Sequence, residues 1–133
     1  MEHLTGAFMD PSQMNPLTLA FVGDGVYELF VRETMVQNRD ARVRDLHAKA
    51  VSRVRCEAQA KAAREVLLPI LTEEEQAVYN RGRNAHVGHV PKNASIADYH
   101  AATAVEAVFG YLYLKGEIDR LRELFALCST TFE

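Results

Sequence analysis

An apolar stretch about five helical turns long limits what this chain can become. Leu17, Leu19, Phe21, Val22, Val26, Tyr27, Leu29, Phe30, Val31 and Met35 follow Asn15-Pro16. That pair reads as an N-cap with proline at the first helical position, where its missing N–H costs nothing. A helix this apolar on nearly every side is expected to be buried on nearly every side, so the rest of the chain must wrap it. With 133 residues, 48% of them hydrophobic, one domain of ordinary size has the core to do so and no room for a second. The expected domain is 1–133, with residues 1–14, which include Gly6 and Pro11, as an irregular entry.

The wrapping elements also read as helices. Leu46, Ala50, Val51, Val54, Ala58 and Ala62 carry a helical pattern from Val43 toward Leu67, ended by Pro69. Thr72-Glu73-Glu74-Glu75 fits a capping box for a short helix stopping at Gly82. Residues 81–94 lose periodicity and contain Gly82, Gly88 and Pro91, which predicts a loop. A small-residue helix from about Asp98 to Lys115 ends at Gly116, and Ile118, Leu121, Leu124, Phe125 and Cys128 stripe a last helix. No segment shows strand alternation, so the expected fold is all-α.

Charge is segregated. The net value is −3, yet residues 41–64 hold Arg42, Arg44, Lys49, Arg53, Arg55, Lys61 and Arg64 against Asp45 and Glu57 alone. Residues 76–97 hold Arg81, Arg83 and Lys92 with no acid. Such a distribution brings a polyanion to one face of a mildly acidic molecule. Cys56 and Cys128 match no metal or redox spacing and read as reduced core thiols. No apolar run reaches signal-peptide or membrane-spanning length, and the expected location is the cytoplasm.

Two acids stand out. Asp24 lies between Gly23 and Gly25 in the first apolar helix, and Glu106 is flanked by Ala102, Thr103, Val105, Ala107, Phe109 and Gly110. Each glycine costs the helix about 1 kcal/mol relative to alanine, which points to something approaching the backbone or the carboxylate there. Both carboxylates are expected to be largely buried. A buried carboxylate pairs with a base, takes up a proton or binds metal, and two on packed helices suit one divalent ion. Glu28, four residues from both Asp24 and Arg32, leans toward an ion pair with Arg32. The acid-free run of residues 81–93 offers Arg81, Arg83, Asn84, His86, Lys92 and Asn93 to phosphate oxygens; it reads equally as a solvated loop. His86 and His89 lack the further ligands a zinc site needs.

Leu19-Ala20-Phe21-Val22-Gly23-Asp24-Gly25-Val26-Tyr27-Glu28-Leu29 resembles the signature helix of ribonuclease III. Ala104-Val105-Glu106-Ala107-Val108-Phe109-Gly110-Tyr111-Leu112-Tyr113-Leu114 is similar to that family's second motif. Asp45-Leu46-His47-Ala48-Lys49, and Arg81-Gly82-Arg83-Asn84-Ala85 followed by Pro91-Lys92-Asn93, narrow the likeness to the mini-ribonuclease III branch, over residues 15–127. Larger members carry two further carboxylates, at positions that here are Ala20 and Thr103.

The resemblance implies a ribonuclease III endonuclease-domain-like helical bundle that works as a homodimer on double-stranded RNA. Asp24 and Glu106 would be catalytic and hold Mg²⁺, with Mn²⁺ as a substitute. Arg81, Arg83, Asn84, His86, Lys92 and Asn93 would bind the RNA. The implied substrate is the base-paired stem of the large-subunit (23S) ribosomal RNA precursor. A non-catalytic double-stranded-RNA-binding or ribosome-assembly protein on the same fold, and a helical hydrolase of small phosphate esters, remain the alternatives.

Overall fold

The computed structural model describes residues 3–37, 43–85, 88, 90, 92 and 95–132. Helices α1 (Pro16–Val36), α2 (Val43–Val54), α3 (Cys56–Ala62), α4 (Glu73–Asn84), α5 (Ile96–Lys115) and α6 (Ile118–Ser129) follow one another. Among the described residues no strand forms, so the all-α expectation holds.

α5 is the axle. From Ala101 to Leu114 every side chain is buried except the half-buried Glu106 and Tyr113. α1, α3, α4 and α6 all pack on it, while α2 packs on α1 and α3. Helices come close because α5 presents Ala101, Ala104, Ala107 and Gly110 rather than bulk. At one end Tyr27, Phe30, Phe109 and Phe125 fill the core through ring contacts 4.9 to 6.2 Å between centroids.

The helix ends follow local chemistry. Asn15 Oδ1 accepts from the Leu17 amide at 2.8 Å. The Thr72 box closes in both directions, Glu75 N to Thr72 Oγ1 at 3.2 Å and Thr72 N to Glu75 Oε1 at 2.9 Å. Gly116 stops α5 in a left-handed conformation, φ 86°. Arg120 of α6 grips the same Glu75 through both oxygens, at 2.7 and 2.8 Å, and donates to the Ile70 carbonyl at 3.0 Å.

Three expectations need correction. The helix predicted from Val43 to Leu67 is broken at Arg55, whose backbone is extended (φ −60°, ψ 149°). The break lets α3 turn onto α5 while α2 stays against α1, and a π-helical turn, Ala63–Leu67, follows α3. Gly82 does not end α4, which runs on to Asn84. A Cβ on Gly82 would stand 2.9 Å from Ala107 Cβ and 3.0 Å from Ala104 Cα, so this glycine serves helix contact, not termination. Finally, α1 buries one stripe (Leu19, Ala20, Gly23, Tyr27, Val31, Met35) and leaves Phe21 83% and Leu29 58% exposed. Among the described residues no element covers Phe21 or Leu29 on the opposite face. Cys128 is a buried free thiol as expected, whereas Cys56 is only half-buried at the start of α3.

Candidate active site

α1 and α5 cross at two glycines. A Cβ on Gly23 would fall 1.6 Å from the Glu106 carbonyl oxygen, and one on Gly110 would fall 1.9 Å from that of Leu19. The backbones therefore touch, and the residue after Gly23 is brought against the turn that carries Glu106. Gly25 has nothing within 4 Å of its Cβ position; only Gly23 meets the close approach that the two glycines flanking Asp24 suggested.

That crossing puts the Asp24 and Glu106 carboxylates within hydrogen-bonding reach of each other. Both were expected to be largely buried; Asp24 is instead exposed and Glu106 half-buried. Among the described residues neither forms an ion pair with lysine or arginine. Burial first, and then the neighbouring Asp24, raise the Glu106 carboxyl to about 9. Two acids 82 positions apart in sequence thus meet at one edge of the helix pair. Mg²⁺ fits this donor set: it is commonly held by one or two carboxylates and keeps several waters. Among the described residues no third His, Cys, Asp or Glu joins the pair.

Surrounding groups sort by what they touch. Gln59 of α3 is 1% exposed, and its amide acts against the rise at Glu106, although Nε2 closes no bond of full hydrogen-bond geometry among the described residues. Sequence reading passed over Gln59; the available signal was a polar side chain beside the alanines at 58, 60, 62 and 63. Glu28 pairs with Arg32 at 2.8 Å as the spacing suggested. The Thr103 hydroxyl donates to the Tyr99 carbonyl at 3.0 Å and so serves its own helix, and Ala20 is buried. The Tyr27 phenol, fully buried in the core, is raised by that burial.

The basic candidates lie partly beside the acid pair. Arg81, Arg83 and Asn84 are exposed, in the last turn of α4 rather than in a loop. That turn rests through Gly82 on Thr103, Ala104 and Ala107, next to Glu106. Arg81 donates to the Met14 carbonyl at 2.7 Å, which engages one of the five donors of its guanidinium. Lys92 is exposed. His86 and Asn93, like His89, lie outside the described residues. In the other basic segment Arg64 pairs with Asp98, and Arg53 sits 5.1 Å over the Phe132 ring.

Residues 17–117 match the ribonuclease III domain family. Mini-ribonuclease 3 of Clostridium tetani is 46% identical over 93% of this chain and 82% of that protein. The chain belongs to the ribonuclease III family, in its mini-ribonuclease III branch. Mini-ribonuclease 3 of Symbiobacterium thermophilum is likewise 46% identical, over 93% of this chain and 95% of the relative. A Fusobacterium nucleatum protein of known crystal structure shares the fold, with a TM-score of 0.79 at 24% identity over 89% of this chain and 93% of that one. As a mini-ribonuclease III the chain is an endoribonuclease. No described helix is long and apolar enough to cross a membrane.

Proposed function

We propose that this endoribonuclease cuts double-stranded RNA at the Asp24–Glu106 pair with Mg²⁺, for which Mn²⁺ substitutes, and that one ribonuclease III-type domain does the whole task. The observation that carries the reading is two carboxylates from separate helices brought together where α1 and α5 touch at Gly23 and Gly110, with no lysine or arginine ion-paired to either among the described residues. Asp24 and Glu106 would hold the ion, together with water and the scissile phosphate. When bound, the ion lowers the pKa of a coordinated water and steadies charge on the phosphate. The carboxylates hold the reacting groups in line, and the products are 5′-phosphate and 3′-hydroxyl ends.

Recognition falls to side chains near this pair. Arg81, Arg83 and Asn84 face solvent one helix away from Glu106, and with Lys92, His86 and Asn93 they would contact phosphates across the minor groove of A-form RNA. Binding then depends strongly on salt and little on sequence. A second copy is needed to cut the second strand, and a two-fold dimer supplies it. The uncovered α1 face, with Phe21 and Leu29, supports this: together with Leu4, Tyr113 and Ile118, Leu29 lines an apolar groove of about 350 Å³, and apolar surface of this kind marks an interface. The likeness to mini-ribonuclease III supports the base-paired stem of the 23S ribosomal RNA precursor as substrate, and the cytoplasm as location.

One assay tests the core of this reading. Long duplex RNA incubated with the protein is cleaved with Mg²⁺ and not with chelator; Asp24→Asn and Glu106→Gln stay folded and abolish cleavage. Full activity in either variant removes the assignment. Cleavage lost while duplex binding in chelator persists separates catalysis from a binding-only role.

A further inference from the structure

We propose that the corner between α2 and α3 is a second phosphate-binding site, a groove that takes a backbone phosphodiester of duplex RNA between the guanidinium groups of Arg53 and Arg55, beside Lys61. The inference rests on duplex RNA being the substrate.

The basic run of residues 41–64 has no part in the acid pair, and the structure gathers some of it in one place. The extended backbone at Arg55 breaks the helix there. Arg53 from the last turn of α2, Arg55 itself and Lys61 from the last turn of α3 thereby line one open groove of about 400 Å³. Ala58 on its wall leaves the space between the cations unfilled. The far side is closed by Phe132, whose ring packs edge-on against that of the buried Phe125, 5.9 Å between centroids. Arg53 sits 5.1 Å over the same Phe132 ring, and a guanidinium held over a ring keeps its N–H donors for other acceptors.

These cations are not spent on acids. Arg55 is exposed and forms no hydrogen bond or ion pair among the described residues. By contrast Arg32, Arg64, Arg120 and Arg122 are each paired with a carboxylate. The one acid lining the groove, Glu57, is exposed and accepts from the Cys56 thiol at 3.8 Å. Guanidinium groups grip phosphate oxygens in pairs, so the groove suits an anion of that kind.

Its position selects a long substrate over a small one. At 100° per residue, Glu57 and Lys61 project from the side of α3 opposite the buried Gln59, and α3 packs on α5. The groove is therefore set off from α5 by a helix width, about 10 Å. A duplex carries phosphates on both strands over such a distance, and one molecule can engage the acid pair and the groove together.

The test titrates a blunt duplex RNA with 5′-hydroxyl ends into the protein in chelator at several salt concentrations, and repeats it with the same duplex carrying 5′-phosphates. Arg53→Gln and Arg55→Gln should each weaken binding about 5- to 10-fold at roughly 0.1 M salt and make the slope of log affinity against log salt shallower by about 0.9, the share of one neutralised phosphate. Arg55→Lys keeps the charge and should keep the slope; Glu57→Gln should bind more tightly than the parent. Arg122→Gln removes an exposed cation outside the groove and should leave the slope unchanged. Urea unfolding verifies the fold, and Arg55, with no partner to lose, carries the test even if Arg53→Gln does not fold. Affinity within about twofold of the parent and an unaltered slope in Arg55→Gln overturn the inference. So does an equal loss of slope in Arg122→Gln, or weakening confined to 5′-phosphorylated RNA, which makes the ligand a terminal phosphate. A parent that binds no duplex removes the substrate reading and the groove's role with it; a parent that binds, matched by its variants, removes the groove alone.

Discussion

Gly23→Ala tests whether the α1–α5 crossing is what makes the acid pair. The added methyl would sit 1.6 Å from the Glu106 carbonyl oxygen, 2.6 Å from its carbon and 2.8 Å from the Gly110 nitrogen. All three are backbone atoms, so no side-chain rotation relieves the clash. Restoring ordinary contact moves the helices apart by roughly 1.9 Å, since united atoms settle near 3.5 Å. Overpacking of this kind costs about 1–3 kcal/mol, offset by about 1 kcal/mol of improved helix propensity. The expected net loss is roughly 2 kcal/mol, toward the upper end of that balance because the obstruction is rigid. The larger effect falls on activity. A misplacement near 1 Å at a catalytic pair costs about 100-fold, so duplex cleavage should fall at least that far in protein that is still folded. Urea unfolding and Mg²⁺-dependent cleavage of duplex RNA read the two effects separately. Gly25→Ala is the internal control: with nothing within 4 Å of its Cβ position, it should leave the isolated subunit as stable or more so by up to about 1 kcal/mol. A Gly23→Ala protein as stable and active as the parent refutes the reasoning, because the acids would then not depend on helix contact.

Further outcomes follow from the same contacts. Because Glu106 is raised from 4.5 to about 9, its contribution to metal-free stability is fully present below pH 4.5 and is lost as pH rises toward 9. In chelator, Glu106→Gln should therefore melt above the parent at pH 8 and match it near pH 4; a variant that melts lower at pH 8 contradicts the upward shift of the Glu106 carboxyl. At Glu75, burial pushes the carboxyl up, but the Arg120 guanidinium and the Thr72 amide more than offset it and hold it below the usual range. Arg120→Met leaves that buried charge unpaired and should cost about 3 kcal/mol at neutral pH. The deficit should fade as pH falls through the depressed value, since a protonated Glu75 has no charge left to compensate. Phe21→Asp, on a residue 83% exposed, should change subunit stability by less than about 0.5 kcal/mol yet sediment as a monomer; an unchanged dimer would move the interface elsewhere.

The caps, the length of α1 and α5, the absence of strand character and the Glu28–Arg32 pair were legible in the sequence, because each depends on residues within a turn or two of one another. Asp24 and Glu106 also stood out locally, as acids among apolar residues. What neighbours alone could not reveal is how helices choose faces. Gly82 looks like a terminator until α5 is seen pressed against it, and the continuous pattern from Val43 to Leu67 conceals the break at Arg55, since both halves keep helical periodicity while changing which helix they cover. Which face of α1 stays uncovered depends on which of the described helices pack against it, and α5, α2 and α4 take one side. The approach of Asp24 to Glu106 follows from backbone touching backbone at Gly23 and Gly110, and Gln59 is buried because its helix packs on α5. Short-range hydrogen bonding and side-chain periodicity set the elements; steric exclusion between distant segments set the site.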